Sequence, residues 1–382
     1  MIEPAPSTTR PTSVASKRRD EKKMQLVCGR QRGGENQSAS TGWPEKTVGK
    51  KGDRTYRLRL LVQAGFALGC VLLGIQFARF TRAAVAGDLP LPVRPPGVEG
   101  FLPISGMMGL LDWFHQGTLN RVHPAATMLF VIIVGVAFVA RKSFCSWICP
   151  VGFLSETLAR LGRRIFGRNF RPWKWLDIPL RGLKYLLMFF FVYSVVTMSD
   201  TALRAFIESP YNRVADVKMG LFFVRLGTVG ATVMVVLFVL SILINGAWCR
   251  YLCPYGGLLG LVSLFSPFKV TRKAEACIDC GLCDKVCMAR LPVSTLDRVS
   301  SAECTGCLDC VATCPITEAL DVRAARRWRV SLPVFALVVL VLFLGGYSGA
   351  RLTDLWRSGI SDAEYSERIQ NLDRPEYGHP GS

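Results

Sequence analysis

Eight of the fourteen cysteines in this chain fall into two consecutive runs with one spacing. Cys277, Cys280, Cys283 and Cys287 form the first run, and Cys304, Cys307, Cys310 and Cys314 the second; both read C-x2-C-x2-C-x3-C. A short loop so spaced wraps three thiolates around one face of a cubic iron-sulfur cluster and lends its last cysteine to a neighbouring cluster. The crossed sets are then Cys277, Cys280, Cys283 and Cys314 for one [4Fe-4S] cluster, and Cys304, Cys307, Cys310 and Cys287 for the other. Gly281 and Gly306 fall inside the turns, where little side-chain bulk fits. Pro315 follows the second run; Met288 replaces the proline that often follows the first, which alters no ligand. C-x2-C pairs also build zinc ribbons, but eight cysteines in this doubled form are uncharacteristic of zinc. Disulfides are unsuited to a segment facing a reducing compartment. Two such clusters imply one-electron transfer.

Half of the chain is apolar, yet its formal charge is +19, and the two properties are segregated. Leu60–Ala78, Pro124–Ala140, Leu183–Met198, Leu221–Leu243 and Val330–Tyr347 approach the roughly 20 apolar residues that cross a hydrocarbon core. The third is short and is expected to extend by letting Lys184 snorkel. The fourth carries Arg225 near one end, which places that end at an interface or against protein. The expected fold is an all-α polytopic membrane protein with about five transmembrane helices and a small α+β ferredoxin-like insert.

Lys and Arg set the orientation. The tail before the first span holds fourteen of them against six acids, and Arg141–Lys184 holds ten against two. Arg323, Arg326, Arg327 and Arg329 directly precede the fifth span. All basic segments share one side if the amino terminus and the clusters are cytoplasmic, in a bacterial inner membrane. Topology thus accounts for the charge, and no nucleic-acid binding is read from it. The expected divisions are a disordered basic tail (1–57), a membrane domain (58–268), a two-cluster domain (269–322), a last helix (323–348) and an external tail (349–382). Lys17, Arg18, Arg19, Lys22 and Lys23 suit either solvent or anionic lipid. Ala84-Val85-Ala86 resembles a signal-peptidase site, although the long leader favours an uncleaved anchor. Cys28 and Cys70 belong to no motif and are read as a tail thiol and an apolar filler.

An internal repeat adds four more cysteines. Ser143-Phe-Cys145-Ser-Trp-Ile-Cys149-Pro150-Val-Gly152 matches Ala247-Trp-Cys249-Arg-Tyr-Leu-Cys253-Pro254-Tyr-Gly256. Each copy ends an apolar span and precedes a shorter segment: an amphipathic one at Phe153–Phe166, with Leu154, Leu158, Leu161 and Ile165 at helical spacing, and a more apolar one at Tyr255–Phe268. Spans one–two and three–four therefore read as two copies of a hairpin ending in C-x3-C-P. If each motif is helical, i and i+4 put both sulfurs on one face. Cys145, Cys149, Cys249 and Cys253 could then converge on a metal or a further cluster, act as redox thiols, or merely pack, with Trp147 and Trp248 as interfacial anchors.

These motifs together resemble the membrane polyferredoxins of the NapH/MauN/NosR type, as do Arg94-Pro-Pro-Gly-Val-Glu-Gly-Phe-Leu-Pro-Ile-Ser105 and Lys142–Pro150. The resemblance covers roughly residues 58–330. It implies electron transfer between the quinone pool and partner redox proteins, often for a periplasmic respiratory enzyme. The chain lacks a long external segment for the flavin domain of the NosR type and the large C-terminal external domain of the CcoG type. It is closer to the compact NapH/MauN-like form, with one added span.

A quinol site needs an apolar cleft and a proton acceptor. The loop Gly87–Val122 is a candidate region, with His115 and His123, and with Asp112, Trp113 and Phe114 nearby; the alternative is that His123 merely starts the second span and His115 lies at the surface. No span has the interior histidines that haem b commonly needs, and no dinucleotide fingerprint precedes a helix. The expected function is a relay between quinone/quinol and a soluble or periplasmic partner, an electron-transfer subunit and not a complete enzyme. The rival is an assembly or maturation factor that reduces metal or thiols for a metalloenzyme. A membrane anchor whose clusters only stabilise a scaffold is a third reading.

Overall fold

The computed structural model describes residues 50–378 apart from Leu89, Arg171 and Thr317. Most of the basic tail, Cys28 included, lies outside the described residues. The first helix, α1 (Lys50–Ala86), is long because its apolar middle contains no breaker, and it leaves Leu61, Leu68 and Ile75 exposed. Ala84 lies buried in its last turn, where its carbonyl accepts from Ser366 and Gln370. Next come α2 (Pro103–Gln116), α3 (Pro124–Ala140), the single turn α4 (Ser143–Trp147) and α5 (Pro150–Phe166). Then follow α6 (Lys174–Val196), α7 (Ala215–Val224), α8 (Thr228–Leu243) and α9 (Pro254–Val262).

Among the described residues, three helical stretches are long and apolar enough to cross a membrane: Thr55–Ala86, Trp175–Val196 and Leu332–Leu352. The stretch expected as a fourth span is instead two helices, α7 and α8, bent by 79° at a short break that contains Arg225. Breaking there keeps the guanidinium at an exposed helix end, where burying it would be costly. Helix α3 has 17 residues, about 25 Å at 1.5 Å per residue. It is short for a lone span but central to the molecule: Ala125, Val136, Ala137 and Ala140 are almost fully buried. Helix α5 is amphipathic, but only Leu158 of its expected apolar stripe turns inward; Leu154, Leu161 and Ile165 are exposed. Its inner face carries Ser155, Glu156, Ala159 and Gly162 instead.

The cysteine-rich insert is built on an antiparallel sheet of β1 (Phe268–Arg272), β2 (Arg298–Val299), β3 (Leu320–Ala324) and β4 (Trp328–Val330), in the order β2-β1-β3-β4. The central pair runs from Phe268 opposite Ala324 to Arg272 opposite Leu320. Two five-residue helices, α10 (Leu282–Val286) and α11 (Asp309–Thr313), cover it. Each cysteine run has two left-handed residues at equivalent places, Asp279 and Gly281 in the first and Gly306 and Leu308 in the second, with φ between 49° and 65°. Glycine thus occupies one such position per run, alternately. The chain returns to the membrane domain through α12 (Leu332–Leu352), followed by α13 (Asp362–Gln370).

Polar side chains fix the insert to the membrane domain. Trp147 Nε1 donates to the Gly306 carbonyl at 3.1 Å, and Ser146 Oγ donates to that of Thr305 at 2.7 Å. Arg141 holds the carbonyls of Val299 and Ser301. Trp147 is therefore a docking residue, 1% exposed, and does not anchor at an interface. Nor does Lys184 snorkel: it is buried and pairs with Glu303 at 2.5 Å, while Tyr185 donates to the other carboxylate oxygen. Burying a lysine is tolerable only with such a partner.

Candidate functional site

The eight insert sulfurs form two groups. Cys283 and Cys314 interact electrostatically with Cys280, and Cys314 also with Cys277. Cys310 interacts with Cys287, Cys304 and Cys307. The second group lines a small cavity closed by Val270, Leu291, Val293 and Val299. This group faces the membrane domain, since Gly306 lies over Ala140, Arg141 and Ser143. Arg59, from α1, reaches Asp309 beside Cys310. Each group brings together cysteines of both runs.

Each C-x3-C-P motif straddles a break, and the i, i+4 face anticipated from the sequence does not form. Cys145 sits in α4, but Cys149 is the extended residue preceding α5, with Pro150 in its first turn. Cys249 lies in a π-helical turn, Trp248–Leu252, and Cys253 precedes α9 with Pro254 following. Proline at the first helical position starts a new helix and does not continue the old one. The second cysteine of each motif therefore stands at a helix N-cap; Cys253 Sγ accepts from the Gly256 amide at 3.3 Å, whereas the Cys149 side chain makes no cap bond. All four sulfurs line one cavity. Burial pushes the Cys149 thiol up to about 11 and the Cys249 thiol up to about 12.

A Cβ on Gly152 would stand 2.1 Å from the Cys145 carbonyl oxygen, and one on Gly256 would stand 3.5 Å from its nearest neighbours. Gly152→Ala is expected to cost about 1–3 kcal/mol or more by overpacking. Gly256→Ala is expected to be milder. Thermal unfolding in detergent compares the two; equal losses would contradict the packing seen here.

The cavity measures about 1140 Å³ and passes from these thiols along α1 and α3, walled by Phe66, Leu73, Leu129, Ile133 and Phe144. Met288, Ala289, Glu303 and Thr305 of the insert also border it, and Arg94 and Tyr365 border it elsewhere. Arg94 donates to Asp216 at 2.7 and 2.9 Å and to Glu99 at 2.8 Å. Glu99 is fully buried and also accepts from the Ala126 amide in the first turn of α3, a position that favours an anion.

His123 Nε2 donates to the Asn212 carbonyl at 2.6 Å, and its Nδ1 faces Glu99 at 3.4 Å. Burial by itself would lower the His123 pKa, but the Glu99 carboxylate outweighs it and the pKa is raised; only the imidazolium places a proton on both nitrogens. Burial pushes Glu99 up, and Arg94 and His123 together bring it below its ordinary value. Because the folded chain holds the His123 proton more tightly than the unfolded chain, this stabilisation is complete below the ordinary histidine range. It fades as pH rises through the raised value. Glu99 acts oppositely, losing its contribution as pH falls through the carboxylate range. Thermal unfolding of wild type should therefore weaken toward alkaline pH more than that of His123→Gln; parallel curves would refute the pairing.

The residues expected to form a quinol site separate. His115 pairs with Asp200 at 2.6 Å on the surface, Asp112 pairs with Arg204, and Phe114 is exposed. None of them, nor Trp113 or His123, lines the cavity; Arg94, Pro95, Pro96, Gly97, Gly100 and Phe101 of the same loop do. Asp216 and Tyr365 had no sequence signal. Among the described residues, no three His, Cys, Asp or Glu side chains converge closely enough for a single metal ion.

Comparisons with known proteins follow the same divisions. A 4Fe-4S binding domain family matches residues 122–169 and 226–273, one copy over each C-x3-C-P motif. A 4Fe-4S dicluster domain family matches 269–326. The chain is 44% identical to the putative electron transport protein YccM of Escherichia coli over 305 residues, 77% of this chain and 84% of that one. It is 26% identical to the methylamine utilization ferredoxin-type protein MauN of Methylorubrum extorquens over 60% of this chain and 72% of that protein. The ferredoxin-type protein NapH of Escherichia coli is 29% identical over 56% of this chain and 72% of its own length. No solved structure matches.

Proposed function

The chain belongs to the membrane polyferredoxins of the NapH, MauN and NosR type, iron-sulfur proteins of electron transport, and from that premise we propose that it relays single electrons between a quinone/quinol couple and a partner redox protein. The carrying observation is the cavity: apolar along α1 and α3, it shares a wall with the insert loops that bear Cys287 and Cys304. A flat apolar headgroup there would lie against the cluster-bearing segment without crossing bulk water.

In this reading Cys277, Cys280, Cys283 and Cys314 hold one [4Fe-4S] cluster, and Cys304, Cys307, Cys310 and Cys287 the other. The clusters supply one-electron carriers whose potential depends on burial and on hydrogen bonds to sulfur. The chain's own part is positional. Trp147, Arg141 and Lys184 hold the insert against the cavity, and the apolar wall excludes water from it. Oxidising one quinol to quinone would release two electrons, taken singly by the clusters, and two protons, lost to solvent; Glu303 borders the cavity but is already held by Lys184 and Tyr185. The orientation that fits the basic segments puts the insert in the cytoplasm of a bacterial inner-membrane protein with several spans. A soluble or membrane partner then meets the Cys277 group.

The test is EPR of protein reconstituted in liposomes. Adding a reduced quinol analogue should produce reduced-cluster signals, or adding quinone to the reduced protein should remove them. Cluster signals indifferent to every quinone couple tried would refute the relay.

A further inference from the structure

The four C-x3-C-P cysteines are left over by the two-cluster account, and beside them lies a buried charge that no salt bridge holds. Lys142 is only 4% exposed, and its Nζ, like Cys253 Sγ, lies 3.5 Å from where a Cβ on Gly256 would stand. Among the described residues no salt bridge joins it to a carboxylate; Glu303 lies within its electrostatic range but is already held by Lys184 and Tyr185. An isolated buried ammonium is costly, several kcal/mol in effective terms, so such a position calls for a compensating anion.

The thiols define the size of that anion. Every one of their six pairings lies within electrostatic range: Cys145 with Cys149, Cys249 and Cys253, Cys149 with Cys249 and Cys253, and Cys249 with Cys253. They do not converge on a single-ion site, and they form no disulfide. Four sulfurs mutually near but too spread for one ion match the corners of a cubane, whose thiolates sit on separate irons. Cys253 also receives a helix N-terminal amide, that of Gly256 in α9.

We propose that Cys145, Cys149, Cys249 and Cys253 hold a third [4Fe-4S] cluster, with Lys142 as its buried charge partner. The site takes two ligands from each hairpin repeat, which explains why the whole motif is duplicated. A tetrathiolate cubane is net anionic, so it supplies the counter-charge that Lys142 lacks. The ammonium in turn stabilises the reduced cluster over the oxidised one and raises its potential. The inference deepens the relay reading, since the site borders both the cavity and the insert, but it stands on its own geometry.

The full chain is purified anaerobically, and iron and acid-labile sulfide are counted alongside EPR of the reduced protein. Wild type should hold about twelve irons per chain and Cys145→Ala/Cys249→Ala about eight, with the signals of the insert clusters retained. About eight in both would overturn the site. Lys142→Met supplies a test that removes no ligand. It should leave the iron count at the wild-type value and move one midpoint potential to a more negative value, the others staying in place; three unmoved potentials would overturn the role of Lys142. A relay assay that fails while these counts hold would sink the quinol reading and leave the cluster standing.

Discussion

Cys307→Ala should lower the iron content by about four atoms per chain and bring electron transfer between quinol and any acceptor to background. Cys307 lies in the group that faces the membrane domain, with Cys287, Cys304 and Cys310 around one small cavity. Its loss is not easily made good from nearby, because Val270, Leu291, Val293 and Val299 of the neighbouring wall offer no ligand and Asp309, beside Cys307, is held by Arg59. Cys70→Ala is the matched control. Cys70 also borders the large cavity, near Cys149, but it belongs to neither insert group nor either C-x3-C-P motif, so the iron count should be unchanged. Retention of full iron and full turnover by Cys307→Ala would refute the ligand assignment.

The largest loss of stability is expected from Arg59→Met. Arg59 is 1% exposed and reaches Glu156 at 2.6 Å and Asp309 at 3.2 Å, tying α1 to α5 and to the cysteine-bearing α11. Removing one partner of a buried ion pair costs about 3–5 kcal/mol, because the remaining charge has no water to turn to. Here Asp309 is stranded, whereas Glu156 keeps Gln63 and Arg160, the latter at 3.3 Å. Arg59→Met/Glu156→Gln should recover some of the loss. The measurement is the midpoint of thermal bleaching of the iron-sulfur absorbance in detergent. A shift no larger than that of an exposed variant such as Arg57→Met would show that the triad holds nothing together.

What could be read from the sequence was what depends on local spacing. The two cysteine groups follow from residues at most 37 positions apart in one insert, Cys277 to Cys314, and the chain between them is too short to place them otherwise. The duplicated motif was legible for the same reason. Its conformation was not: a helix through Cys145 and Cys149 is a fair inference from i, i+4 until Pro150 opens a second helix instead. Hydropathy found the apolar stretches but could not reveal the 79° bend between α7 and α8, which Arg225 and Gly227 make possible. The network of Arg94, Glu99, His123 and Asp216 was hidden because Asp216 lies 122 residues beyond Arg94, although Arg94, Glu99 and His123 stand in stretches singled out for other reasons. The same holds for Lys184, whose partner Glu303 lies 119 residues away.

The way the insert is joined has a mechanical consequence. Only a single turn, Ser263–Phe265, and two further residues separate α9 from β1, and Ser331 alone separates β4 from α12. With both ends tethered so tightly and the Gly306 loop pinned beneath Trp147, the domain has no slack with which to swing between a donor and an acceptor. It is a fixed socket and not a moving arm. Delivery of charge is then paced by how often a partner collides with it in the right orientation, so turnover should rise with partner concentration, change with ionic strength and fall as solvent viscosity is raised.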